Sequence, residues 1–256
     1  MYFSRIPFLR LLVFSFLLGN LVATEVIQFN KFVEYTEGKT YFQKKLEPIP
    51  PPLLLEVGTD FDEPFPYALI SSKDSYLEVC HEKDQTKPTT IRLGKRTAVE
   101  FIGSNQLFFI QGSALFSHRK FFSWLIDSNV SSCRLQGVGT WLTEKTSKGF
   151  KIIVLEGDFS IGSKKNKKRV KSGDLVLTSG KDGKISQSIK IELPLLLGTS
   201  RLLSRFPTPL SSHSRLISAA QVQAIRMKKR YQAFVGGVSQ ENKLRIWAIQ
   251  KKQAEE

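Results

Sequence analysis

From Leu53 to about Leu193, short strand-like runs recur roughly every ten residues, and this pattern constrains the fold more than any other feature. Tyr76-Leu77-Glu78-Val79-Cys80 and Thr97-Ala98-Val99-Glu100-Phe101-Ile102 alternate apolar and polar residues. Leu107-Phe108-Phe109-Ile110, Phe122-Ser123-Trp124-Leu125-Ile126, Phe150-Lys151-Ile152-Ile153-Val154-Leu155, Asp158-Phe159-Ser160-Ile161 and Asp174-Leu175-Val176-Leu177-Thr178 continue the series, with Gly, Asn, Asp or Ser between them. Period-two runs bounded by turn residues predict an all-β sandwich, roll or solenoid of short strands. No helix-period run interrupts them, which argues against a parallel α/β sheet.

The flanks differ. Residues 24–47 interleave aromatic and charged residues and read as a short strand or loosely packed arm; Pro48-Ile49-Pro50-Pro51-Pro52 reads as a stiff linker and a domain boundary. After Leu193, Pro194, Pro207 and Pro209 punctuate the chain. Ile217, Ala220, Ala224, Met227, Tyr231 and Phe234 then recur at helical spacing until Gly236-Gly237, and Leu244, Trp247 and Ala248 mark a second short helix. The expected organisation is 1–23 signal peptide, 24–52 arm and Pro-rich linker, 53–193 β-domain, and 194–256 connection and basic helical tail.

The signal peptide rests on Arg5 and Arg10, the apolar run Leu11 to Leu18, the break at Gly19-Asn20, and Ala23 as a small residue for cleavage. The run is shorter than the ~20 residues a membrane span needs. A periplasmic or secreted chain is expected, with an uncleaved inner-membrane anchor as the alternative. Export places Cys80 and Cys133 where a disulfide can form, worth about 4 kcal/mol for a loop of this length. Two separate buried thiols are the other reading, and spacing does not decide between them.

The chain holds 38 Lys+Arg against 23 Asp+Glu, a net charge of +15, so anionic partners are favoured. Lys164, Lys165, Lys167, Lys168, Arg169 and Lys171 crowd between Gly162 and Gly173 and read as the tip of a hairpin. They are either a solvated tip or a contact for an anionic polymer. Arg226, Lys228, Lys229, Arg230, Lys243 and Arg245 pose the same choice for the tail, with an anionic lipid surface as a further candidate.

Sharper chemistry finds little support. Gly137-Val138-Gly139 begins a dinucleotide fingerprint, but position 142 is Leu and no helix follows. His81-Glu82 begins like a zinc-protease motif, but position 85 is Gln. His81, His118 and His213 read as surface or turn residues. Trp141, Trp124 and Phe116 read as core, with a ligand groove as the alternative. No catalytic residue, cofactor site, metal site or small-molecule substrate emerges. A carboxylate pair for glycan hydrolysis stays open without a particular pair to name.

Four stretches recur in a familiar order: Ile110-Gln111-Gly112-Ser113-Ala114-Leu115-Phe116, Gly137-Val138-Gly139-Thr140-Trp141-Leu142, Ile153 to Ile161 around Gly157, and Val170-Lys171-Ser172-Gly173-Asp174-Leu175-Val176. With Gly112, Gly139, Thr140, Gly157 and Gly173 as turn positions, they resemble the FecR domain of bacterial cell-envelope proteins over roughly residues 90–180. The resemblance implies a periplasmic β-domain that, in the family, passes a signal from an outer-membrane transporter to a cytoplasmic sigma factor. What it carries over here is an exported, non-enzymatic FecR-like binding, scaffolding or signal-relay module whose partner is another envelope protein. The alternative is a charge-driven binder of an anionic polymer or membrane surface through the 164–171 segment and the C-terminal helix.

Overall fold

Three strands of fourteen or fifteen residues carry the architecture: β10 (Ser113–Asp127), β11 (Ser132–Lys145) and β12 (Gly149–Gly162). The structure, a computed structural model, describes residues 31–45, 49–61, 65–81, 89–163, 166–232 and 250–251. The proposed signal peptide, Lys164, Lys165, Lys243, Arg245 and the second tail helix lie outside the described residues.

The remaining strands of the main sheet are β1 (Lys31–Glu37), β2 (Thr40–Lys44), β3 (Leu53–Leu54), β4 (Asp60–Phe61), β5 (Tyr67–Ser71), β6 (Tyr76–His81), β7 (Thr89–Leu93), β8 (Thr97–Gly103), β9 (Gln106–Gln111), β13 (Lys167–Lys171), β14 (Asp174–Ser179), β15 (Lys184–Ile185) and β16 (Ile189–Lys190). All sixteen belong to one sheet, whose longest path runs β15-β14-β12-β11-β10-β9-β8-β5-β2-β3. The sheet branches because each half of a long strand has its own neighbour. β10 meets β7 along Ala114–Ser117 and β9, in parallel, along Leu125–Asp127. β12 meets β14 along Gly149–Ile153 and β13 along Asp158–Gly162. The expected all-β character holds, but the central strands are long rather than short.

Glycines set the bend between the two halves. Pairing of β10 with β11 slips between His118 and Phe122, and pairing of β11 with β12 slips between Thr140 and Trp141. Gly139 and Gly157 face each other across this crease with φ of 136° and 104°. A Cβ on Gly139 would sit 2.1 Å from the Glu156 carbonyl oxygen, and one on Gly157 would sit 2.1 Å from that of Val138. Only glycine fits so close a backbone approach. Gly139, Thr140 and Gly157 therefore lie inside strands, next to the bulge at Leu155, and not in turns. Gly112 at the β9–β10 junction (φ 88°) and Gly173 between β13 and β14 (φ 81°) do occupy turns.

Alternation sends one set of side chains inward. Ile91, Leu93, Phe109, Phe116, Trp141, Phe150 and Val154 are fully buried and join Phe122, Trp124, Leu135, Phe159 and Val170 in one core. Trp141 stacks on Phe116 at 4.9 Å and on Phe122 at 4.6 Å between ring centroids. Trp124 and Phe116 belong to the same cluster, so these aromatics fill the core and line no groove. His118, read as a surface residue, is buried against Trp141 and Phe122 instead. Burial of each large apolar side chain contributes about 1.5–3 kcal/mol.

On the half nearer the strand ends 113–117, the alternate residues Leu115, Leu142, Ile153 and Leu155 face the other way and are covered by helices. These are α1 (Leu193–Thr199), α2 (Arg201–Ser204) and α3 (His213–Arg230). Leu193, Leu202, Phe206, Leu210, Leu216 and Ala220 supply the covering layer. The Gln223 side chain fastens α3 to the start of α1: its Oε1 accepts from the Leu193 amide at 2.7 Å, and its Nε2 donates to the Ile191 carbonyl at 2.6 Å. The docked stripe of α3 thus begins at Leu216, while Ile217, placed on it from sequence, is exposed with Val222 and Ile225. A two-residue pair, β17 (Tyr231–Gln232) with β18 (Gln250–Lys251), follows α3.

The expected boundary at 48–52 is not where the fold divides. β1 pairs with β4 and β6, and β2 pairs with β3 and β5, so the arm completes the sheet. Val33 and Phe42 sit in the main core. No helix among the described residues is long and apolar enough to cross a membrane.

A cationic sheet face as the candidate binding site

Beyond the crease, the outer sides of β11, β12 and β13 carry no helical cover among the described residues. Leu135, Phe159, Ile161 and Val170 point into the core, so their neighbours in sequence must point out. Register then fixes three rows across the face. Lys167 lies beside Gly162 and Arg134; Arg169 beside Ser160 and Gln136; Lys171 beside Asp158 and Val138. Four cations and one carboxylate share a surface whose centre, Gly162 and Ser160, is small.

The pairing within the face is uneven. Arg169 holds Asp158 with Nε 2.9 Å from Oδ1 and 2.8 Å from Oδ2, and its Nη2 also contacts Oδ2. That hydrogen bonding keeps the Asp158 carboxyl below its ordinary value and the Arg169 guanidinium above its own. Arg134 and Gln136 both donate to the Ser123 hydroxyl, at 3.3 and 2.9 Å. Lys167 and Lys171 are exposed, and neither forms an ion pair among the described residues. The segment read as a hairpin tip is therefore mostly strand: Lys167, Arg169 and Lys171 share one face, while Lys168 points to the opposite side and donates to the Ser186 carbonyl at 2.9 Å. On α3, Arg226 is exposed; the side chains of Lys228, Lys229 and Arg230 lie outside the described residues.

A second polar cluster lies under the helices. Arg92 and Glu78 are on adjacent strands and face away from the main core, buried to 1% and 2% exposure. Arg92 donates from Nε to Glu78, from Nη1 to the Leu202 carbonyl at 3.3 Å and from Nη2 to that of Thr208 at 2.5 Å. The Phe206 ring lies 4.4 Å from its guanidinium carbon. One buried cation thereby pins the whole 202–208 segment to β7. Nearby, Ser117, Thr140 and Ser212 form a closed hydroxyl triangle that fixes the start of α3.

Glu34 completes the cluster. Burial and the adjoining Glu34 carboxyl push Glu78 up to about 8, against the opposing pull of Arg92. The hydrogen bond to Glu78 holds Glu34 below its ordinary value. The two carboxyls thus share a proton. Glu34, Glu78 and Cys80 present donor atoms within 4.8 Å of one another, but Arg92 already supplies the cation there. A cavity of about 390 Å³ opens above Arg92, walled by Leu197, Leu203, Phe206, Leu210 and Leu216.

The two cysteines, offered above as a disulfide pair, are free thiols. Cys80 on β6 donates to Glu34 at 2.9 Å; Cys133 on β11 sits in the core beneath Thr178. Burial pushes both thiols up, Cys133 to about 12. We expect a thiol-specific reagent to label neither cysteine in the folded chain and both after unfolding. Fewer than two labels after unfolding, restored by reductant, would contradict the free-thiol arrangement.

No family model matches the chain, and no curated protein does. Among solved structures, it is similar to two from Parabacteroides distasonis ATCC 8503 that carry the name "putative anti-sigma factor". The first, 10% identical with a TM-score of 0.40, is matched over 53% of this chain and 66% of its own, so less than two thirds of that neighbour is spanned. The second, 13% identical with a TM-score of 0.40, is matched over 64% and 76%. Likeness at this distance assigns neither family nor function.

Proposed function

We propose that the chain is an exported, non-enzymatic binding module of a bacterial cell envelope, FecR-like in its β-domain, that holds a partner against the cationic face of β11, β12 and β13. The observation that carries this reading is the row Lys167, Arg169 and Lys171, exposed on a rigid strand whose Val170 is locked in the core. Cations fixed on a sheet lose less freedom on binding than cations on a mobile tip. Arg5, Arg10 and the apolar run after them support export, to the periplasm or beyond, with an uncleaved anchor as the alternative.

The partner is another envelope protein with an acidic surface; an anionic polymer meeting the same face is the second reading, favoured by the excess of four cations over the one carboxylate, Asp158, in the rows described. Binding of the purified chain to poly-glutamate should weaken roughly tenfold between about 50 and 200 mM salt. The double substitution Lys167→Glu, Lys171→Glu should weaken it by a similar factor without changing the thermal midpoint. Unchanged affinity in that variant would remove the face from the proposal.

A further inference from the structure

β13 is both the most cationic strand of the described residues and an edge. Among the described residues it pairs with β12 alone, so one side of its backbone meets no other described strand. Antiparallel strands bond through alternate residues, and the residues between them point their N–H and C=O outward. Two observations fix which set points outward. The Lys171 amide donates to Asp174 Oδ2 at 2.9 Å rather than to β12. Opposite it, the Asp158 carbonyl oxygen faces β11, 2.4 Å from where a Cβ on Gly137 would stand. Lys171, and by alternation Arg169 and Lys167, therefore direct their backbone groups to the open side. The same three residues carry the exposed positive charge.

We infer that the β13 edge accepts an extended segment of a partner protein as an added strand, with acidic residues at alternate positions. This deepens the proposed function and rests on it. Backbone pairing to Lys167 and Arg169 would set register and supply affinity; side chains at every second position would supply specificity. In that register, the partner residues beside Lys167 and Arg169 lie on the cationic face, where Asp or Glu is favoured. The residue between them lies on the inner side beside Lys168, whose ammonium is held by the Ser186 carbonyl, and the one beyond Arg169 lies beside Val170; an apolar side chain packs on the Lys168 stem and on Val170. Charge complementarity thus selects an alternating acidic and apolar strand, and disfavours any segment with Lys or Arg in those places.

The test uses the purified chain and three capped synthetic peptides of one composition. The first alternates Glu and Val, the second groups all Glu before all Val, and the third is the alternating peptide N-methylated at every second amide, on the edge that would pair with β13. Binding is read by fluorescence anisotropy, and hydrogen exchange is followed at the Lys167 and Arg169 amides. The expected result is binding of the alternating peptide at least tenfold tighter than of the other two, with slowed exchange at both amides. Equal binding of all three would overturn strand addition while leaving a charge-driven face intact. Binding of poly-glutamate but of none of the peptides would also overturn it and leave the proposed function standing. Binding of neither poly-glutamate nor any peptide would overturn both. Because Lys167→Glu with Lys171→Glu changes only exposed side chains, loss of peptide binding in that variant at an unchanged thermal midpoint separates recognition from folding.

Discussion

Substituting alanine for Arg92 is expected to cost about 3–5 kcal/mol of unfolding free energy, because it breaks a buried ion pair by removing one partner. The loss has two parts. Glu78 keeps its buried position without a cation, and the carbonyls of Leu202 and Thr208 lose their donor. The first part is moderated because Glu78, pushed up to about 8, already holds a proton at neutral pH, which leaves the ionised Glu34 carboxyl beside it without a cation; the second takes the donor from two carbonyls that a 1% exposed side chain served. Against a typical total of about 5–15 kcal/mol, this leaves a marginal fold. Denaturant unfolding measures the size of the effect. Hydrogen exchange over 193–226 locates it: the helices should lose protection ahead of β10, β11 and β12. A variant within about 1 kcal/mol of the parent would show that the apolar layer of Leu202, Phe206 and Leu216 holds the helices without Arg92.

Glu78 gives the same cluster a pH signature. Its carboxyl rises from an ordinary 4.5 to about 8, so across that range the folded chain keeps a proton that the unfolded chain has released. Stability should therefore fall as pH rises between those values and level off above. Glu34 has the opposite sign: its lowered value contributes stability above the ordinary carboxylate range, lost as pH falls. Together they place the cluster's maximum on the acid side of neutral. Glu78→Gln keeps an acceptor for Arg92 and removes the titrating group, so the alkaline slope should flatten in that variant.

The sheet was legible in the sequence wherever one face is buried. Tyr76–Cys80 and Thr97–Ile102 alternate because the opposite face meets polar groups or solvent, and both are strands. Legibility failed where that rule is broken. Thr89–Leu93 is β7, but its outward residue is Arg92, which looks like a surface charge until the 202–208 segment covers it. Lys167–Lys171 has one apolar residue, Val170, too few to show a period. α1 was hidden by Pro194, which sits harmlessly in its first turn, and by Gly198. The arm's place in the sheet depends on pairing partners far away in sequence, which composition does not encode. The cations of the candidate site were visible as a cluster; their division into an outward row and an inward Lys168 needed the register. Arg134 and Gln136 carried no signal at all, since their role comes from lying beside β12.

Gly139→Val should have the other large effect, about 2–5 kcal/mol, and it tests why the long strands bend where they do. In sequence, Gly139 and Gly157 looked like turns because a glycine between two strand-like runs is the usual mark of a turn with positive φ. The structure keeps the chain in strand on both sides and uses the pair to bring two backbones closer than any side chain allows. A valine at 139 faces two penalties together: a β-branched residue at φ 136°, and a Cβ against the Glu156 carbonyl. Relief requires β11 and β12 to separate at the crease. That would strain the Thr140 hydroxyl bonds to Ser117 and Ser212 on one side and the Trp141 stack on the other. The variant should therefore lose tryptophan near-ultraviolet circular dichroism and helix protection in the same denaturant transition as global unfolding. Val138→Ala, one residue away on the exposed face, should cost less than about 0.5 kcal/mol. If the two substitutions proved equally mild, the crease would be a flexible joint with room to open. The cationic rows across β11, β12 and β13 would then lack the fixed spacing that recognition of an alternating partner demands.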